Sequence, residues 1–140
     1  MMKKIFFALS VFFALVCLIF QHSRAEASDY YLGEYPNGQI AYMDTSSIRV
    51  TNHYSNGYHD GDTYTCIVKA VDPGSDRYDK VHYEIYVGQT ESIKKNGIKL
   101  WQTIRGDAHF LENNPVEAAL LKYFEQRHKE DWKKVPERIK

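Results

Sequence analysis

The sequence predicts an α+β fold, an antiparallel sheet of about five strands packed against one C-terminal helix behind a cleaved leader. Three observations carry it. Apolar and polar residues alternate with period two over Thr63 to Val71 and again over Val81 to Val87, as in strands with one buried and one wet face. Turn signals punctuate the chain at Pro36-Asn37-Gly38, Asp72-Pro73-Gly74 and Asn96-Gly97. From Pro115 onward the period changes to that of a helix.

The leader comes first in the chain. Lys3 and Lys4 precede an almost wholly apolar run from Ile5 to Phe20, and Ala25-Glu26-Ala27 supplies a small-residue cleavage site. That is the order of a secretory signal peptide. A spanning helix needs about 20 apolar residues, and Gln21 to Arg24 end this run too early. Cleavage after Ala27 divides the chain into a signal peptide, 1–27, and one domain, 28–140, exported to periplasm, envelope or medium. Membrane contact is then confined to the signal peptide before cleavage. Cys17 follows residues too bulky for a lipid-attachment site and leaves with the leader, so Cys66 is the one cysteine of the mature chain. No intramolecular disulfide is available, and Cys66, within an alternating stretch, reads as a small buried hydrophobe.

Cleavage removes Lys3, Lys4, Arg24 and Glu26, leaving 15 basic and 17 acidic residues of the 18 of each in the full chain. A formal charge near −2 gives no field for drawing in nucleic acid or an anionic membrane.

Within the mature chain, Tyr30 to Tyr35 reads as a first strand that turns through Pro36-Asn37-Gly38 into a second, Ile40 to about Asp44 and again Ile48 to Val50. Asp44-Thr45-Ser46-Ser47 reads as a strand end, because short hydroxyl and carboxylate side chains compete for backbone donors and no histidine or lysine stands beside the serines to activate them. Thr51 to Asp62, "TNHYSNGYHDGD", has no apolar period and reads as a long exposed loop turning at Asp60-Gly61. Strands at 63–71, 81–87 and 99–105 follow, with Gly88 to Gly97 as a polar connection. Asn114 is the expected N-cap of a helix from Pro115 to about Trp132, with proline at its first position and Glu117 near the positive end of its dipole. Val116, Ala119, Leu120, Tyr123 and Phe124 form its apolar stripe. Such a helix is marginal alone and must lie on the sheet.

His53, His59, Asp60 and Asp62 are metal-ligand residue types gathered in one segment, but without helical His-x-x-x-His spacing or a calcium-loop pattern. They are the weak metal candidates, and no cofactor is expected. His82 and Glu84 share the wet face of one strand without a nucleophile beside them. Eleven tyrosines in 140 residues say more, since a ring with a polar tip suits protein and glycan contacts. Tyr54, Tyr58 and Tyr86, on a loop or a polar face, are the binding candidates. Trp132, in the charged segment Arg127 to Lys134, is a further anchor.

The run "YYLGEYPNGQIAYMDTSSI" from Tyr30 to Ile48, then "YTCIVKAVDP" from Tyr64 to Pro73 and a terminal helix, resembles the surface-adhesin protein E-like family of small exported bacterial proteins. The resemblance implies an antiparallel sheet backed by a helix, a place at the cell envelope, and, from the family's namesake, adhesion to host extracellular proteins as a dimer. It carries over no binding residue, and the chain lacks the second mature cysteine that a bridge like the namesake's would need. The expected function is therefore non-enzymatic contact with a protein or extracellular-matrix partner. Two alternatives stand beside it: a small periplasmic metal-binding protein or enzyme built on residues 53–62, and a module that binds or inhibits another envelope protein.

Overall fold

The computed structural model describes residues 29–104 and 106–134. The expected leader at 1–27, Cys17, Pro136 and the last residue of the expected strand 99–105 lie outside them.

Six strands form one antiparallel sheet in sequence order: β1 Asp29–Glu34, β2 Ile40–Ser55, β3 Tyr58–Val71, β4 Tyr78–Gly88, β5 Glu91–Lys95 and β6 Ile98–Gln102. A short helix, α1 Phe110–Asn113, leads into α2 Pro115–Trp132. The α+β class and the helix bounds agree with expectation. The strand count is six.

The extra strand is β5, which the sequence disguised as a polar connection. Ile93 is its one buried residue, so no alternation shows. The Asn96-Gly97 turn, with both residues at positive φ (50° and 81°), joins it to β6, as a two-residue hairpin of the mirror-image type requires.

The larger correction concerns residues 51–62, which are the end of one long hairpin and not a loop. β2 runs on to Ser55, β3 starts at Tyr58, and the turn is Asn56-Gly57, both at positive φ (52° and 84°), instead of Asp60-Gly61. Asp60 is the additional residue of a bulge, skipped between the pairs His53↔Gly61 and Tyr54↔His59. The bulge shifts the alternation by one, and polar side chains on both faces hide the rest. Asp44 to Ser47 likewise interrupts the β2–β3 register without ending the strand. Asp44 Oδ1 accepts from the Ser46 amide and hydroxyl, and Ser47 Oγ accepts from the Ile67 amide of β3. The cluster is structural, but as a bulge within a strand.

One sheet face meets α2. Ala41, Met43, Tyr64, Cys66, Val68, Tyr83, Ile85 and Ile93 are buried with Val116, Leu120, Leu121 and Phe124, and Tyr64 stacks on Phe124 at 4.8 Å between ring centroids. Ala119 and Tyr123, expected in the apolar stripe, are partly buried against this core, and Leu121 is a full member. Cys66 is buried as expected, and that burial raises its thiol pKa to about 12. Asn114 makes no side-chain cap; its amide donates instead to the Phe110 carbonyl of α1. Among the described residues no helix is long and apolar enough to cross a membrane.

Candidate functional site

Two polar clusters and one groove mark the seam between the sheet and α2. The first cluster holds the C-terminal end of the helix. Asp62 is fully buried, with both carboxylate oxygens engaged: Oδ1 lies 2.7 Å from His59 Nε2 and Oδ2 lies 2.8 Å from His128 Nδ1. The His59 ring stacks on Trp132 at 4.3 Å, and His128 meets the same indole edge-on at 5.2 Å. Tyr54 packs on His59 at 5.4 Å. One turn along, the Tyr64 hydroxyl donates to Asp131, which also faces Arg127 at 3.5 Å.

The arrangement follows from position. Asp62 faces the helix from an interior row of the sheet, where a carboxylate without partners would be prohibitively desolvated. α2 supplies His128 there, one turn before Trp132, because residues four apart share a helix face.

The second cluster lies near the helix N-terminus. Glu117 is buried, and its Oε1 accepts from Tyr83 at 2.9 Å, while Tyr83 and Tyr35 share a hydrogen bond of 2.8 Å between their hydroxyls. Lys95 stands 3.9 Å from Glu117 and lies over the Tyr35 ring. Burial raises the pKa of Tyr35 to about 12 and raises that of Tyr83 further. Both phenols therefore stay protonated at any physiological pH, suited to donating hydrogen bonds.

The sequence-based candidates separate across these elements. His59 and Asp62 come together on the helix side. His53 lies on the opposite face, 2.6 Å from the Thr63 hydroxyl and edge-on to Tyr86. Asp60 sits in the bulge, with a buried Oδ1 that has no hydrogen-bond partner. Among the described residues no group of three or more His, Cys, Asp or Glu is placed to hold a metal ion. His128 was invisible as Asp62's partner, since they are 66 positions apart.

The tyrosine candidates divide too. Tyr54 is part of the buried cluster. Tyr86 is half-buried, its ring lying where a Cβ on Gly61 or Gly88 would stand. Tyr58, near the hairpin tip, is 51% exposed. Two tyrosines not singled out from sequence are exposed at the sheet edge, Tyr30 at 46% and Tyr31 at 62%. Their signal was present in the doublet that opens β1, which reads equally as core.

Tyr30, whose ring meets Tyr123 at 4.9 Å, and the rim residue Tyr31, whose ring turns to Tyr42 on the other sheet face, border a groove of about 870 Å³ between β1 and α2, with Lys122, Glu125, Lys129, Glu130 and Lys134 along its helical side. A shallower extension of about 210 Å³ continues it past Arg127 and Asp131 to Val50 and Asn52 of β2.

No protein-family model matches the chain, and no curated protein or solved structure matches it.

Proposed function

We propose that the chain is an exported, non-enzymatic envelope or secreted protein of the surface-adhesin protein E-like type, which works by contacting another protein or the extracellular matrix. The observation that carries this is the groove between β1 and α2. It presents exposed tyrosines, a residue type enriched in protein contact surfaces, on a rigid sheet-and-helix frame. The titratable groups support the same reading from the other side. Asp62 and Glu117 are buried and spend hydrogen bonds joining sheet to helix, and buried His59 occupies the other Asp62 oxygen, an arrangement that stabilises a scaffold.

Export is tested by fractionating native host cells and determining the mature N-terminus by mass spectrometry. A start at Ser28 in a periplasmic, envelope or culture fraction is expected; an uncleaved chain in the cytoplasm would sink the proposal. Contact is tested by measuring binding of the purified mature chain to surfaces coated with extracellular-matrix proteins or with host-envelope extract, against an albumin coat. Saturable binding weakened by Tyr30→Ser with Tyr31→Ser is expected. Equal retention on every coat would contradict it.

A further inference from the structure

β2 is longer than the strand that covers it. Its pairing with β1 ends at Asp29↔Asp44, whereas its pairing with β3 continues to Ser55. Among the described residues no strand lies along its outer edge beyond Asp44. Arg49, Val50, Thr51 and Asn52 are all exposed, so both side-chain faces of this stretch are open to solvent. A strand edge of this kind presents a row of backbone donors and acceptors, and proteins ordinarily blunt it with charge, proline or a bulge.

The other edges are blunted in that way. β1 carries a bulge at Leu32, between the paired Tyr31 and Gly33, with Asp29 and Glu34 at its ends, and β6 is five residues long with a shifted register. At the upstream end of the β2 edge, the Arg49 guanidinium donates to the Ser46 and Ile48 carbonyls at 3.1 and 2.9 Å, which covers the edge there. From Val50 to Asn52 no charge, proline or bulge intervenes. Arg49 to His53 spans roughly 16 Å at about 3.3 Å per residue, room for a short added strand.

We propose that this edge accepts an extended acidic segment of a partner protein as an additional β-strand, with main-chain hydrogen bonds giving affinity and alternate side chains giving specificity. It deepens the contact function proposed above and rests on it. The charge of the adjoining wall selects the acidic partner. With the Arg127–Asp131 pair set aside, the helical side of the groove presents Lys122, Lys129 and Lys134 against Glu125 and Glu130, a net excess of one positive charge. Val50 and Asn52 form the floor beside Arg127, Asp131 and Lys134, so alternate side chains of an added strand would point toward Lys134, whose charge is left over from the Arg127–Asp131 pair. The chain's own N-terminus is a poor competitor for the edge, because cleavage after Ala27 leaves Ser28 alone ahead of β1.

The test uses the mature chain, Ser28 to Lys140, and a blocked eight-residue peptide of alternating glutamate and threonine, with amide hydrogen exchange followed by NMR. In the free protein the outward-facing amides of residues 49–53 should exchange rapidly, and the peptide should slow them. N-methylating alternate peptide residues should weaken binding about tenfold or more, the equivalent of losing one or two hydrogen bonds, and so should Lys129→Glu with Lys134→Glu. A lysine-threonine peptide should bind more weakly than the acidic one. Three results would overturn the proposal: no protection by the acidic peptide, protection already present in the free monomer because the chain covers its own edge, or protection that rises with protein concentration because a second copy takes the site. Matrix binding that persists when the peptide fails would remove this inference and leave the contact function standing.

Discussion

His128 on α2 and Asp62 on β3 are joined by a hydrogen bond of 2.8 Å across 66 positions of sequence, and His59 closes on the other oxygen of the same carboxylate at 2.7 Å. The pair fixes the end of the helix over the tip half of the long hairpin.

Removing that carboxylate should therefore destabilise the protein strongly. Asp62→Ala leaves two imidazoles facing a void and should cost about 3–5 kcal/mol, as for the loss of one partner of a buried polar pair. His128→Ala, at the more exposed end, should cost about 1–2 kcal/mol. Urea unfolding followed by Trp132 fluorescence measures both, and equal, negligible losses would show that the cluster does not anchor the helix.

At the other end of α2, Tyr83→Phe deprives buried Glu117 of its 2.9 Å donor and Tyr35 of its hydroxyl partner. An unsatisfied buried group costs about 1–3 kcal/mol. Tyr35→Phe leaves the Tyr83–Glu117 bond in place and should cost less. Thermal unfolding of the two variants side by side would reveal a reversed order.

Stability should also fall as the pH rises through neutrality. Burial, then a hydrogen bond that the protonated Glu91 carboxyl donates to Glu125 and the charge of that residue, raises the pKa of Glu91 from 4.5 to about 7. A carboxyl whose pKa is higher folded than unfolded binds its proton more tightly in the folded state. Its contribution is fully present below about pH 4.5 and is lost as the pH climbs to about 7. Glu91→Gln should flatten that slope in melting temperatures taken from pH 4.5 to 8; an unchanged slope would exclude the pair as its source.

The bulge region gives a paired test. The three atoms nearest a Cβ at Gly61 all belong to Tyr86, whereas one at Gly88 would also lie 2.8 Å from the Asp60 carbonyl oxygen. Gly61→Ala and Gly88→Ala should each cost about 1–3 kcal/mol. Tyr86→Ser should restore the first and leave the second destabilised, and rescue of both would mean that the backbone yields there.

Period and turn chemistry made much of this architecture legible. The helix from Pro115 to Trp132, the alternating stretches of β3 and β4, and the Pro36-Asn37-Gly38 and Asn96-Gly97 turns all follow from local rules that packing did not override. β5 escaped notice because Ile93 alone is buried within it, and the hairpin arms at 51–62 because the Asp60 bulge and wet faces erase alternation. The candidate site was legible in part. His59 and Asp62 stand three apart and could be paired from sequence, but His128 reaches them only through the register of α2 on the sheet. Tyr30 and Tyr31 acquire their exposure from lying on an edge strand, a property of strand order that no local pattern records.

The most direct measurement places a photo-crosslinking amino acid at Tyr30, in the groove against Tyr123, and separately at Tyr78, exposed on the opposite sheet face, in the chain expressed in its native host cells. A discrete crosslink from position 30 to an envelope or extracellular protein is expected, competed by unlabelled chain 28–140 and absent from position 78. Equal, non-saturable crosslinking from both positions, or crosslinks confined to cytoplasmic proteins, would contradict it.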